Sequence, residues 1–158
     1  MLHVALWEPE IPPNTGNVAR LCAATGATLH LIGRLGFRLD DRHLRRAGLD
    51  YWHAVTLWRH ASLEEFETTL GQLDATSYSG RLFCFSRHAA TPYTEAVYQD
   101  GDCLLFGSES HGLPAGLRER NAQRTLCIPM PAGKVRSLNL ATAVGIVLYE
   151  ALRQLHVW

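Results

Sequence analysis

The sequence predicts an α/β fold: a single domain with a mainly parallel sheet covered by helices on both faces. Two observations predict it. Short apolar runs of strand length alternate with helical patterning along the whole chain, which implies crossover connections and parallel strands buried on both sides. The 158 residues are 47% hydrophobic, enough for one compact domain with its own core. Nothing reads as a linker, a low-complexity tract or an internal repeat.

The elements follow in order. Residues 2–7 read as a strand, ended by the proline-rich Glu8-Pro9-Glu10-Ile11-Pro12-Pro13. A helix begins near Asn14 or Thr15 and stops at Gly26, since glycine takes the left-handed turn that closes helices. Residues 28–32 form a second strand, 40–47 a short helix closed by Gly48, and 53–58 a third strand. Ser62-Leu63-Glu64-Glu65 is a capping box opening a helix that runs to about Leu73. Residues 81–86 and 102–106 read as buried strands, and Pro114 as the first-turn proline of a helix through Asn121. Residues 124–128 make another strand, and a last, very apolar helix spans Leu138 to about His156.

Composition excludes several classes. The opening Met1-Leu2-His3-Val4-Ala5-Leu6-Trp7 has no basic leader and no small-residue cleavage site, so a signal peptide is not expected. The longest apolar stretch, 140–149, is roughly half of a membrane span. Cys22, Cys84, Cys103 and Cys127 lack metal-ligand or redox spacing and read as buried free thiols of a reducing compartment. A soluble, cytoplasmic chain with no membrane partner is the expectation. The eight histidines also lack ligand spacing; His3 and His30 fall in strands as hydrogen-bonded structural residues, and no metal is expected.

Net charge is zero and the pI about 7.1, unlike the basic balance common among nucleic-acid binders. The distribution is less neutral than the sum. Arg34, Arg38, Arg42, Arg45 and Arg46 crowd one segment, and 14 of the 15 basic residues are arginine, the side chain that forks onto phosphate. The same cluster also suits a solvated, partly ion-paired helix face.

In open α/β sheets ligands bind beyond the carboxyl ends of the strands, which singles out loops 8–17, 107–114 and 129–137. None carries a dinucleotide-binding glycine turn or a phosphate-binding loop. Gly107-Ser108-Glu109-Ser110-His111-Gly112 lacks the central serine of a hydrolase elbow. The loops share glycine, small polar residues and exposed backbone, with few titratable groups. Such a site binds by main-chain contacts and suits a cofactor that brings its own electrophile.

Three motifs occur in order: Asn14-Thr15-Gly16-Asn17 with Arg20; Phe106-Gly107-Ser108-Glu109 with Gly112-Leu113-Pro114; and Ile128-Pro129-Met130 followed by Ser137-Leu138-Asn139. Together they resemble the three motifs of the SPOUT-class RNA ribose 2′-O-methyltransferases, over nearly the whole chain. Glu8-Pro9-Glu10-Ile11-Pro12-Pro13, Leu44-Arg45-Arg46-Ala47-Gly48-Leu49-Asp50-Tyr51 and Tyr149-Glu150-Ala151-Leu152-Arg153-Gln154 are similar to the small subgroup that methylates the wobble nucleotide of tRNA (cytidine or uridine 34).

The resemblance implies a deep C-terminal trefoil knot, over about 80–156, which the sequence pattern itself does not predict and base rates oppose. It implies an S-adenosylmethionine pocket formed by Phe85, Gly107, Ile128, Met130, Ser137 and Leu138. The reaction would be in-line attack of a ribose 2′-hydroxyl on the sulfonium methyl, without metal. The family places its central arginine at Arg20; because a guanidinium stays protonated in proteins, a phosphate clamp that stabilises alkoxide charge suits it better than a general base. Glu109 and Asn139 match polar motif positions, either orienting the site as catalytic residues or bonding a helix terminus or loop. Asn14, Arg45, Arg46, Lys134 and Arg136 join Arg20 as expected tRNA contacts around the anticodon loop. A homodimer is implied, in keeping with the apolar last helix.

Two positions depart from the pattern. Ala141 stands where many relatives have serine, and His111 where many have arginine. Two other readings keep the resemblance: methylation of another tRNA or rRNA nucleotide, and a non-catalytic RNA-binding homologue. A third, an unrelated flavodoxin-like nucleotide binder, discards it.

Overall fold

A computed structural model describes residues 1–40, 42, 46, 51–156 and 158. Seven strands form one sheet: β1 (His3–Trp7), β2 (Thr28–Ile32), β3 (Leu57–His60), β4 (Leu82–Phe85), β5 (Thr91–Pro92), β6 (Cys103–Phe106) and β7 (Thr125–Cys127). Their order is β3-β2-β1-β6-β4-β7-β5, and every pairing is parallel. Among the described residues four longer helices flank the sheet: α1 (Pro12–Thr25), α2 (Leu63–Gly71), α3 (Ala115–Arg120) and α4 (Leu140–Gln154).

Strand side chains alternate between two cores, as the pleat requires. Val4, Leu6, Leu29, Leu31, Leu104 and Phe106 pack with Val18, Ala19 and Cys22 of α1 and Val144, Val147 and Leu148 of α4. Ala5, Ile32, Cys84, Cys103 and Leu105 pack on the other face with Phe66 and Leu70 of α2 and Leu117 of α3. Apolar runs without polar alternation are therefore strands covered twice. The expected architecture is the observed one.

Differences from the expected boundaries have local causes. The third strand is Leu57–His60, after a 3-10 turn at Trp52–Ala54, because the register of β2 pairs Leu29 with Leu57 and Ile32 with His60. The helix expected at 40–47 and its Gly48 stop fall largely outside the described residues. Pro114 is the cap before α3 rather than a residue of its first turn, with extended backbone (φ −55°, ψ 138°). Strand β5 was not expected. It is two residues long and contains a proline, which a sheet tolerates only where its missing N–H costs no ladder bond.

The helix ends explain themselves. Gly26 closes α1 in the left-handed region (φ 76°), its N–H donating to the Cys22 carbonyl at 2.8 Å. Ser62 Oγ accepts from Glu65 N–H at 3.1 Å, which is the first half of the anticipated box at α2; Glu65 Oε2 reaches one residue past the Ser62 amide and accepts from Ala61 N–H at 2.8 Å. Helix α4 starts at Leu140, where the Asn139 side chain caps Thr142 N–H at 3.2 Å.

Three buried histidines cross the sheet diagonally on the α2 face. His3 Nδ1 lies 2.9 Å from His30 Nε2, and His30 Nδ1 lies 2.9 Å from His60 Nε2. His3 Nε2 meets the Ser77 carbonyl at 2.8 Å. A carbonyl can only accept, so His3 Nε2 carries the proton, and each imidazole in turn must donate through Nε2 and accept through Nδ1. One carbonyl therefore sets three tautomers. Phe66 packs edge-on against both His30 and His60 (5.5 and 5.3 Å).

Burial holds all three imidazoles neutral below the usual pH, His30 down to about 3. In the unfolded chain they take up protons near pH 6.5, so the unfolded state gains protons first as pH falls. Stability is then fullest above that pH and declines below it, by about 1.4 kcal/mol per pH unit for each histidine still neutral in the fold. Urea unfolding at intervals between pH 7.5 and 5 should show this slope, and His30→Leu should flatten it while lowering stability at pH 7.5. A pH-independent midpoint would contradict the neutral chain.

Candidate active site

The carboxyl ends of β1, β4, β6 and β7 open on one cavity of about 460 Å³, within the range of sites for small molecules and cofactors. Its apolar walls are Phe85, Phe106, Ile128, Met130, Leu138 and Leu140. Phe85 and Phe106 stack at 4.8 Å with planes 15° apart, a flat surface fixed by the pairing of β4 with β6. The polar rim carries Asn14, Ser108, Glu109, Ser110, Ser137 and Asn139.

The loop after β6 doubles back on itself. Ser108 and Gly112 exchange backbone hydrogen bonds at 3.3 and 3.0 Å, and a Cβ at Gly107 would overlap the backbone of Gly112 and Leu113. Only glycine permits that approach, and Gly107 and Ser108 both line the cavity. Flat apolar walls beside exposed backbone suit a nucleoside. The six residues expected around S-adenosylmethionine all line this cavity: Phe85, Gly107, Ile128, Met130, Ser137 and Leu138.

Helix α1 begins without a side-chain cap of its own. Ile11 occupies the cap position and Pro12 follows. Pro12 and Pro13 have no N–H to cap, and the Asn14 N–H donates to the Ile11 carbonyl at 3.1 Å; the amides just before the helix are held from the other loop, Glu109 Oε2 accepting from Ile11 N–H at 2.6 Å and from Glu10 N–H at 2.9 Å. Burial pushes the Glu109 carboxyl up, and the two amides oppose that shift. Glu10 answers in the reverse direction, accepting from the Ser110 hydroxyl at 2.5 Å and the Ser110 N–H at 3.2 Å. The Ser110 hydroxyl holds the Glu10 carboxyl below its usual range.

Asn139 bridges two spaces. Its Nδ2 donates to Oδ1 of buried Asn14 at 2.8 Å, tying α4 to α1. It lines the cavity and also an adjacent open cleft with Asn17, Arg20 and Thr142. Arg20 is exposed in that cleft, its guanidinium 4.9 Å from the centre of the Tyr51 ring, a cation–π contact that restrains it.

The other expected residues are spread more widely. Arg136 donates to the Ser110 carbonyl at 3.2 Å and lines the cavity. Lys134 and Arg46 are exposed and outside both spaces, and Arg45 lies outside the described residues. Sequence reasoning missed Ser86, Arg87, His88 and Arg118, all of which line the cavity. The rule that selected three loops also applies to 86–90, which follows the carboxyl end of β4; only its lack of glycine hid it. Among the described residues, no group of three or more His, Cys, Asp or Glu side chains is placed to hold a metal.

Comparison with known proteins gives this geometry a relationship. Residues 1–149 match the SpoU rRNA Methylase family. The chain belongs to that family. A Yersinia pestis protein named tRNA (cytidine(34)-2′-O)-methyltransferase is 48% identical, with 98% of this chain and 94% of its own length covered. A solved structure described as "Structural insights into the 2-OH methylation of C/U34 on tRNA" superposes with a TM-score of 0.87 at 52% identity, covering 99% of this chain and 97% of that one. The SpoU methyltransferase AviRb from Streptomyces viridochromogenes, in complex with AdoMet, superposes with a TM-score of 0.87 at 27% identity, over 100% of this chain and 62% of that one.

Two substitutions test the SpoU-family site as built. Gly107→Ala should lower stability by about 1–3 kcal/mol through overpacking and weaken S-adenosylmethionine at least about tenfold in calorimetry; unchanged affinity would show that the loop backbone is not part of the seat. Asn139→Ala should cost about 1–2 kcal/mol in urea unfolding, since it uncaps α4 and strands the Asn14 amide.

Proposed function

We propose that the chain transfers a methyl group from S-adenosylmethionine to the ribose 2′-hydroxyl of nucleotide 34, the wobble cytidine or uridine of tRNA. One observation carries the reading. Asn139 is shared by a nucleoside-sized cavity and by the cleft that holds Arg20, so a donor and a polyanionic acceptor have neighbouring seats. The names of the relatives supply the substrate.

S-adenosylmethionine brings a methyl on a positively charged sulfur that leaves as a neutral thioether, so no metal is needed. The chain's own task is alignment. Phe85, Phe106, Ile128, Met130 and Leu138 form the apolar seat, and Gly107 offers its main chain to polar edges. Ser137 stands at the same rim. Arg20 clamps the phosphate beside the target ribose and stabilises negative charge growing on the 2′-oxygen. Asn139 and Asn14 hold the boundary between the two seats. Glu109 is a positioning residue, since its carboxylate is committed to the amides that precede α1.

The chain works as a homodimer; Tyr149 and Trp158, their tilted rings 5.8 Å apart and exposed by 44% and 70%, are apolar surface at α4 that a second copy would cover. The part from about residue 80 to 156 is threaded as a trefoil knot, a reading supported by Arg136 reaching Ser110 while its own carbonyl accepts from Arg87 at 3.3 Å. Lys134, Arg136, Arg45 and Arg46 contact the anticodon arm together with Asn14 and Arg20. The cytoplasm is the compartment, in keeping with the four free thiols. No helix among the described residues is long and apolar enough to cross a membrane.

The test is transfer from labelled S-adenosylmethionine to unfractionated tRNA, followed by nuclease digestion and mass spectrometry. A 2′-O-methyl nucleotide in anticodon fragments is expected. Label confined to another fragment would discard nucleotide 34, and no label from a protein that binds the cofactor would discard the enzyme. Arg20→Ala should cut turnover at least about a hundredfold with cofactor affinity unchanged; full turnover would remove Arg20 from the chemistry.

A further inference from the structure

The loop after β1 and the loop after β6 exchange carboxylates, and the two halves of the exchange are not equivalent. Glu109 accepts from the Glu10 and Ile11 amides and so ties down the chain just before α1, whose own start needs no outside acceptor because Pro12 and Pro13 have no N–H and the Asn14 N–H donates to the Ile11 carbonyl. Glu10 has no such local duty. Its oxygens accept from Ser110, the hydroxyl at 2.5 Å and the N–H at 3.2 Å, and His111 Nδ1 stands 3.5 Å away. The Ser110 carbonyl is taken from the other side by Arg136 at 3.2 Å. Ser110 is thus the hub at which three cavity loops meet, and Glu10 is the spoke leading to α1.

Helix α1 carries Asn14 and Arg20. It packs on the sheet through Val18, Ala19 and Cys22, which fixes its body. Near Ile11 its start is held by hydrogen bonds to the loop that floors the cavity. A small slip there moves Asn14 and Arg20 relative to whatever occupies the cavity, and in-line transfer is sensitive to displacements of about 1 Å.

We propose that Glu10 is a positioning residue for methyl transfer: through Ser110 it locks the cofactor loop to the helix that presents Arg20 to the acceptor. The proposal rests on the function read above for this site. Glu10 touches no reacting atom. Its removal leaves the cavity walls intact, so the cofactor still binds while its methyl and the acceptor oxygen lose their alignment.

The experiment combines turnover, cofactor binding and hydrogen exchange on the full chain. Glu10→Ala should lower kcat about tenfold or more on tRNA, with S-adenosylmethionine Kd within about threefold of wild type. Glu10→Gln keeps an acceptor for Ser110 and should recover most of kcat. Ser110→Ala should resemble Glu10→Ala, and the double variant should be no slower than either alone, as two ends of one contact require. Multiplying effects, an equal loss of cofactor affinity, or unchanged kcat would each overturn the proposal. If wild type methylates no tRNA, the functional reading fails and exchange decides separately. S-adenosylmethionine should then slow amide exchange over 14–20 in wild type and not in Glu10→Ala; equal slowing in both, or none in wild type, overturns the link. Ser110→Ala serves in every arm if Glu10→Ala does not fold.

Discussion

A parallel sheet covered on both faces can present chemistry only at its ends, and the rest of this molecule follows from that constraint. β1, β6 and β4 lie side by side with their interiors buried, so a strand meets a ligand only through its last residue, as Phe85 and Phe106 do. The carboxyl ends deliver four loops to one place. What those loops do is limited by how they are held, because a loop over apolar strands has polar backbone to satisfy. Here they satisfy one another. Glu109 takes the amides just before α1, Ser110 gives its N–H to Glu10, and Arg136 takes the Ser110 carbonyl. Hydrogen bonds thus tie the loops of the cavity rim to one another.

Those long-range bonds explain why some features were legible in the sequence and others were not. Strand positions were readable because apolar runs such as 102–106 are too short for helices and too continuous for one-sided strands. Gly26, Ser62 and Glu65 act on residues within four positions of themselves, so their roles could be read locally. The start of α1 could not. The local pattern places the start near Asn14 or Thr15, whereas the helix begins at Pro12, and the Ile11 amide just before it is held by Glu109, 98 positions away. The third strand failed for a related reason: the apolar pattern at 53–58 fits extended chain, but the register of β2 selects 57–60.

The same division runs through the candidate site. Cavity residues inside a family motif, such as Gly107, Met130 and Leu138, were identified by order and spacing. Arg87, His88 and Arg118 carry no glycine signature and surfaced only when β4 and α3 were brought beside the same space. Glu109 illustrates a finer limit. Its residue type and position pointed equally to orienting the site and to bonding a helix terminus, and only the 2.6 Å contact with the Ile11 amide distinguishes them. Position in a motif says that a side chain matters; geometry says to what.

Neutral net charge is the remaining difficulty for an RNA substrate, and placement resolves it. Affinity for a polyanion depends on the cations its phosphates meet rather than on the sum over the chain. Arg87, Arg118 and Arg136 line the cavity and Arg20 the adjoining cleft. Several acids are committed elsewhere: Asp102 is buried against Arg81 at 2.8 Å, Glu67 faces Arg120 at 3.3 Å, and Glu150 holds Arg153 at 2.8 Å. Glu10 and Glu109, the acids closest to the cavity, are occupied by Ser110 and by backbone amides. Both keep their negative charge but are turned toward donors within the rim. On the proposed function, a chain with no net charge can still present arginines to an RNA phosphate at this edge of its sheet.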